Sequence, residues 1–390
     1  MSDGRPRIYL DHNATSPLRP EALRAMEHVL GMSPANPSSM HLEGRQALSL
    51  LDQARRQVAS LAGCLASEVV FTSGGSEAIA AAVRGVCDRA PDDRRRIVVS
   101  GSEHSAVLES ARLAARRGGL VVPVSCGQDG RVDVDRFLMH LGPDVALACL
   151  QWANNETGVL QPIEDIGRAC RERGVPFLVD AVQAAGKIEI NPRRSYADLL
   201  ALSGHKIGGP QGTGALIVRS GLVLAPLIGG GAQEKRRRGG TENVAGLVGF
   251  GAAAEAAVAG IRDEARGLLR QRARIESRLR EAYPVVRFHG QGASRLPNTV
   301  NFAIPGVPGE MLTIALDLAG VSVSTGSACA SGAVEPSHVL LDMGFEEEEA
   351  RGAVRISLGW NTSPADVDVF FERFPQIVDQ VREGLRQSAS

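Results

Sequence analysis

The stretch YADLLALSGHKIGGPQGTG, residues 196–214, decides how the rest of the chain is read. Its opening part, LLAL at 199–202, is an apolar run of the length of a buried strand. Ser203, Gly204, His205 and Lys206 follow at once, then glycines and Pro210. A lysine just past a buried strand is costly to desolvate unless its charge is balanced or removed. An aldehyde removes the charge by forming a Schiff base, which is how pyridoxal phosphate (PLP) is held. The alternative is an exposed lysine in a glycine-rich loop.

A second apolar run, VPFLV at 175–179, ends in Asp180, with Gln183 three residues on. A carboxylate at a strand end suits the pyridinium nitrogen of PLP, because it keeps that nitrogen protonated and the ring a good electron sink. A plain capping aspartate is the alternative. Lys206 follows Asp180 by 26 residues, which puts the two on adjacent strand ends.

Upstream, strand 68–71 runs into TSGGSE and an alanine-rich helix. Strand, glycine-rich turn and helix form an anion site, because free backbone N–H groups and the positive end of the helix dipole converge there. Gly75 and Ser76 would supply an N–H and a hydroxyl to a phosphate; a simple helix cap is the alternative. Further strands are expected at 8–10, 97–99, 121–124, 145–150, 215–218, 299–302, 321–323 and 354–357. Helices are expected at 21–30, 43–62, 134–140, 163–173 and 366–386, with one or two long ones over 244–280. The alternation of strands and helices predicts an α/β fold. Cys170 reads as a packing residue, and Glu346 to Glu349 as a solvated turn and helix start.

The chain has 390 residues and a net charge of −1, enough for one or two domains and without the basic excess of a nucleic-acid binder. No apolar run approaches the ~20 residues of a membrane span, and the first residues lack a signal-peptide core. The six cysteines (64, 87, 126, 149, 170 and 329) form no C-x-x-C pair. A cytoplasmic location with free thiols is therefore expected, with no resident metal. Cys329 differs from the other five in its setting, STGSACASG at 324–332, where small polar residues leave it accessible. The two-pronged guanidinium of Arg355, in VRISLG, suits a carboxylate.

DAVQ, SGHK and the Cys329 segment together resemble the NifS/IscS-type cysteine desulfurases, fold-type I PLP enzymes of the class-V aminotransferase family. The resemblance runs from YLDHNATSP near the start to VRISLG. It implies a large PLP domain with a mainly parallel sheet between helices, over 15–258. A smaller α+β domain, from 1–14 and 259–390, would carry the cysteine loop. It implies catalytic roles for Lys206, Cys329 and His104, the last stacking on the cofactor ring and relaying protons. Cofactor contacts would come from Gly75, Ser76, His104, Asn155, Asp180, Gln183, Ser203, His205 and Lys206. Thr241 would reach the neighbouring subunit's phosphate from the loop GGGAQEKRRRGGTEN, in a homodimer. Asn36 and Arg355 would bind the carboxylate of L-cysteine.

The implied reaction converts L-cysteine to L-alanine and leaves the sulfur on Cys329 as a persulfide for a sulfur-acceptor protein such as an iron–sulfur scaffold. Cys329 is then the residue expected to meet an iron–sulfur cluster, during transfer. Neither nucleic acid nor membrane is an expected partner. Two departures stand out. Ala78-Ile79-Ala80-Ala81 replaces the asparagine usual after Glu77, and Ala232 separates the glycines from Gln233. The acceptor-binding tail of some relatives is expected to be absent. A selenocysteine lyase, another PLP enzyme of this fold, and a PLP-free sulfur-relay protein are the alternatives.

Overall fold

A computed structural model describes residues 7–33, 35–116, 118–325 and 335–388. Cys329 lies outside the described residues. The chain enters through a short strand, β1 (Ile8–Tyr9), and two helices, α1 (Pro20–Leu30) and α2 (Leu42–Ala62). Proline at the first position suits the start of α1, where no intrahelical N–H is lost. Gly63, with φ of 66°, terminates α2 in the left-handed conformation.

The central sheet follows: β2 (Val69–Thr72), β3 (Arg96–Ser100), β4 (Leu120–Val124), β5 (Val145–Gln151), β6 (Phe177–Asp180), β7 (Leu199–Ser203) and β8 (Gly214–Val218). Their spatial order is β2-β8-β7-β6-β5-β3-β4. Only β8 runs against its neighbours. The helices α3 (Gly75–Cys87), α4 (Ser105–Ala115), α5 (Val134–Met139) and α6 (Ile163–Glu172) connect the strands. Strand β7 shows why the apolar runs were continuous: Leu200 and Leu202 join the core on one face, Leu199 and Ala201 that on the other. A parallel strand covered on both faces has no side for polar residues.

The helix α7 (Val244–Ala282) is continuous over 39 residues, settling one helix rather than two. It stops at Tyr283, before Pro284, where the helical conformation is disfavoured. Its first half packs Leu247, Phe250 and Ala254 into the core under the central sheet; Leu268, Ile275 and Leu279 belong to a second core. By length and composition alone α7 could cross a membrane, although its sequence holds no unbroken apolar run of that length. Here its apolar face lies against α1, α2 and the two cores.

Around the second core stand β9 (Arg287–Phe288), β10 (Thr299–Ala303), α8 (Gly309–Leu318), β11 (Val321–Ser322), β12 (Ser324–Thr325), β13 (Ala353–Ser357) and α11 (Pro364–Ser388), whereas α9 (His338–Asp342) and α10 (Glu347–Gly352), which precede β13, send Val339, Leu340 and Ala350 into the core under the central sheet. The single strand expected at 321–323 is two pieces. β11 pairs with β1, while β12 crosses to β13 in a four-stranded sheet. The strand expected at 175–179 is displaced to Phe177–Asp180, because its pairing with β5 starts at Phe177. The run Glu346–Glu349 is only partly solvated. Glu349 turns inward, 3.1 Å from His289 and paired with Arg287.

Candidate active site

Parallel strands end on one edge, and that edge carries the chemistry. The carboxyl ends of β5, β6 and β7 adjoin in register, Gln151 opposite Asp180 and Asp180 opposite Ala201. They open into a cavity of about 590 Å³, closed on its other side by the 13–14 segment and β13.

A second recess adjoins this cavity at the start of α3. Gly75, Ser76, Thr15, Ser203 and His205 line it. A Cβ on Gly75 would sit 2.8 Å from Val182 Cγ2, so bare backbone is required where the helix meets the β6 loop. Thr15 Oγ1 lies 3.1 Å from His205 Nδ1. Burial, helped by the charges of Lys206 and Lys187, pushes the His205 pKa down to about 4, so its ring is neutral at physiological pH. Glu77 on the rim is matched by Arg238 at 2.9 Å. Burial opposes the Glu77 charge, but the bonds from Arg238 and Ser73 outweigh it and lower its pKa.

Asp180 closes the opposite wall. It is buried, and its Oδ1 accepts the Val182 N–H at 2.9 Å. Burial raises its pKa against the pull of His104 and Lys206. His104 opens onto the cavity while capping α4, its Nδ1 accepting the Ala106 N–H. Burial lowers the His104 pKa, although the Asp180 charge works the other way.

Lys206 follows β7 on a short 3-10 turn, Gly204–Lys206. Its Nζ donates to the carbonyl oxygens of Asn13 (2.6 Å) and Ala14 (2.7 Å) and, among the described residues, has no direct carboxylate partner. Burial, then the Arg355 charge, lower its pKa from the ordinary 10.5 to about 8, with Asp11 and Asp180 partly opposing. A substantial share of this amine is therefore unprotonated and nucleophilic near neutral pH.

Arg355 comes from β13 and is only 4% exposed. Its Nη2 reaches Asp11 Oδ1 at 2.8 Å and its Nη1 the Asn155 carbonyl at 3.1 Å; its Nε is buried without a partner among the described residues. Ser324, at one described end of the 326–334 segment, and Glu335 and His338, at the other, all line the cavity.

The structure thus gathers Gly75, Ser76, His104, Asn155, Asp180, Gln183, Ser203, His205, Lys206 and Arg355 around one space. Asn155 faces the cavity, whereas Asn154 holds its own turn, its Oδ1 accepting from Glu156 and Thr157 N–H. Two expected residues stand apart. Asn36 is exposed and its Oδ1 accepts the Ser38 N–H, a turn role. Thr241 is exposed and does not line the cavity. Sequence reading missed Asp11, Asn13, Lys187 and His338. The backbone carbonyls of the DHNAT stretch that bind Lys206 carry no residue signature.

The Aminotransferase class-V profile matches residues 8–370. The chain belongs to the class-V aminotransferase family. A cysteine desulfurase of Cereibacter sphaeroides is 45% identical over 378 residues, 96% of this chain and 97% of that protein. The cysteine desulfurase IscS of Dictyoglomus turgidum is 38% identical over 96% of this chain and 95% of its own. Among solved structures, a NifS-like protein from Rickettsia africae superimposes with a TM-score of 0.87 at 34% identity, covering 96% and 99% of the two chains. SspA, solved in complex with cysteine, gives 0.79 at 33% identity over 90% and 98%. The family's α/β architecture is the one described above.

Proposed function

We propose that this class-V enzyme is a cysteine desulfurase that holds PLP on Lys206, takes L-cysteine, releases L-alanine and loads the sulfur onto Cys329. The observation that carries the reading is the amine of Lys206, partly buried with a lowered pKa between an anion recess and the carboxylate of Asp180. That donor set fits PLP: a helix N-terminus kept bare by Gly75 for the phosphate, an amine for the aldehyde, and a buried carboxylate for the ring nitrogen.

When bound, PLP supplies the electron sink that stabilises negative charge at the substrate Cα. Asp180 holds a proton at the ring nitrogen. Gly75, Ser76, Ser203 and His205 hold the phosphate, while Asn155 and Gln183 offer hydrogen bonds to the ring. His104 covers the cavity wall beside Asp180. Arg355 holds the substrate carboxylate; its unpartnered Nε is a donor still to be used. Lys206, whose pKa suits a base near neutrality, carries the Cα proton.

The Cys329 thiolate then takes the substrate sulfur, forming an S–S bond as the Cβ–S bond breaks. Two observations support this assignment. Both described ends of its segment border the cavity. Burial also pushes the thiols of Cys64 and Cys170 up to about 12 and that of Cys87 to about 11, and raises those of Cys126 and Cys149 as well, so these five are poor thiolates at neutral pH.

The subunit arrangement is part of the same proposal. Glu234 is buried and accepts from both Nη atoms of Arg55 at 2.7 Å and from the Phe71 N–H at 2.9 Å. It anchors a loop in which Glu234, Lys235 and Arg236 all adopt positive φ. Thr241, exposed at the end of that loop, would reach the neighbouring subunit's phosphate in a homodimer. We place the domains at 15–258 and at 1–14 with 259–390, the enzyme in the cytoplasm, and the sulfur acceptor among iron–sulfur scaffold proteins.

Borohydride reduction followed by peptide mapping tests the reading. The reduced cofactor is expected on Lys206, and L-cysteine is expected to yield alanine and a persulfide on Cys329. A label elsewhere overturns it. Persistent transamination without sulfur transfer would make the protein an aminotransferase instead.

A further inference from the structure

After Asp180 the chain makes a helical turn, the N–H groups of Ala184 and Ala185 donating to the Ala181 carbonyl and those of Lys187 and Ile188 to that of Ala184. Gln183 and Lys187 therefore stand one turn apart on one face. Gly186, with φ of 72°, lets this turn press on the Lys206 loop; a Cβ there would lie 2.9 Å from Ile207 Cγ2. Lys187 is 8% exposed and, among the described residues, has no carboxylate within ion-pair reach. Its Nζ donates to Gln183 Oε1 at 2.6 Å. A buried ammonium answered by one neutral amide is costly, and its retention behind a cavity wall calls for a role.

The direction of the bonds supplies that role. Gln183 Nε2 donates to the Asn13 carbonyl at 3.0 Å, and the same carbonyl accepts Lys206 Nζ at 2.6 Å. A carbonyl only accepts, so the NH₂ end of Gln183 must face Asn13 and its oxygen must face Lys187. A flipped amide would set oxygen against carbonyl at one end and NH₂ against ammonium at the other.

We infer that Lys187 is a positioning residue that locks the Gln183 amide with its N–H groups towards the cofactor cavity, so that Gln183 can serve there only as a donor. The inference rests on the PLP reading above. Burial, then the charges of Lys206 and Arg355, push the Lys187 pKa far down. Protonated or not, the Lys187 amine has N–H groups to donate to Gln183 Oε1; once it has shed its proton it can accept as well, and the Asn13 carbonyl, which only accepts, then completes the lock at the other end of the amide.

A double-mutant cycle on PLP affinity tests this, with K187M, Q183A and K187M/Q183A followed by cofactor absorbance and its pH titration. K187M leaves Gln183 Oε1 buried without a donor and should weaken PLP binding by roughly tenfold. In the Q183A background the same change should cost less than about twofold, because nothing remains to be positioned. K187Q, which keeps an N–H donor without a charge, should bind within about threefold of the parent. Full PLP binding by K187M, equal losses in both backgrounds, or failure of K187Q to fold or to bind PLP each overturns the role of Lys187. Borohydride labelling of Lys206 in the parent separates these outcomes from failure of the PLP reading itself. Label on Lys206 with an unaffected K187M sinks the positioning role alone.

Discussion

The lowered pKa of Lys206 predicts how the cofactor-free protein titrates. The amine is held at about 8 rather than 10.5, chiefly by burial and then by the Arg355 guanidinium. At pH 7 its unprotonated fraction should exceed that of an ordinary lysine by roughly 300-fold. Competitive labelling with trace acetic anhydride across pH 6 to 11, read by peptide mass spectrometry against free Nα-acetyl-lysine in the same tube, measures it directly. The Lys206 peptide should reach half its limiting reactivity near pH 8. R355M should move that midpoint upward, because it removes a cation. The linkage has a definite sign. The folded-state pKa lies below the unfolded one, so the unfolded chain binds more protons between about pH 8 and 10.5. The burial cost, about 3 kcal/mol, is full below that window and is relieved as pH rises through it. A midpoint coinciding with the free-lysine standard, or one unmoved by R355M, would refute this account of the site.

Three further outcomes are expected. C329A should leave PLP on Lys206, as seen in the absorption spectrum, while alanine formation from cysteine drops to background; wild-type turnover in C329A would place the sulfur-accepting thiol elsewhere. Arg355→Leu should raise KM for cysteine and, by leaving partly buried Asp11 without its partner, cost ~2 kcal/mol in denaturant unfolding. A KM unchanged in a folded variant would count against carboxylate binding there. G359A should destabilise the protein by about 3 kcal/mol or more, since a Cβ would lie 1.8 Å from His12 Nδ1; a melting temperature equal to the parent's would show that the two segments separate easily.

Much of the cavity lining was legible because its residues are local to strand ends. SGHK and DAVQ each put a polar group straight after an apolar run, and the pairing of β6 with β7 set them side by side. The displaced start of β6 and the split between β11 and β12 were not legible. Both depend on which strand is the neighbour, and apolar content does not encode partners. The inward turn of Glu349 was hidden for a related reason: its partner His289 lies 60 residues away.

By itself the sequence determined the alternation of buried strands and helices, the glycine-rich turn before α3, and the choice of Asp180, Lys206 and Arg355, which the structure gathers around one cavity. These follow from local periodicity and from residue types whose chemistry is narrow. Tertiary structure alone decided that the Asn13 and Ala14 carbonyls cradle the Lys206 amine, that Asp11 pairs with Arg355, and that Lys187 stands behind Gln183. Backbone carbonyls are the same at every position, and a side chain's burial is set by segments far away in the chain. Their effect on charge arises only when folding removes water from around them.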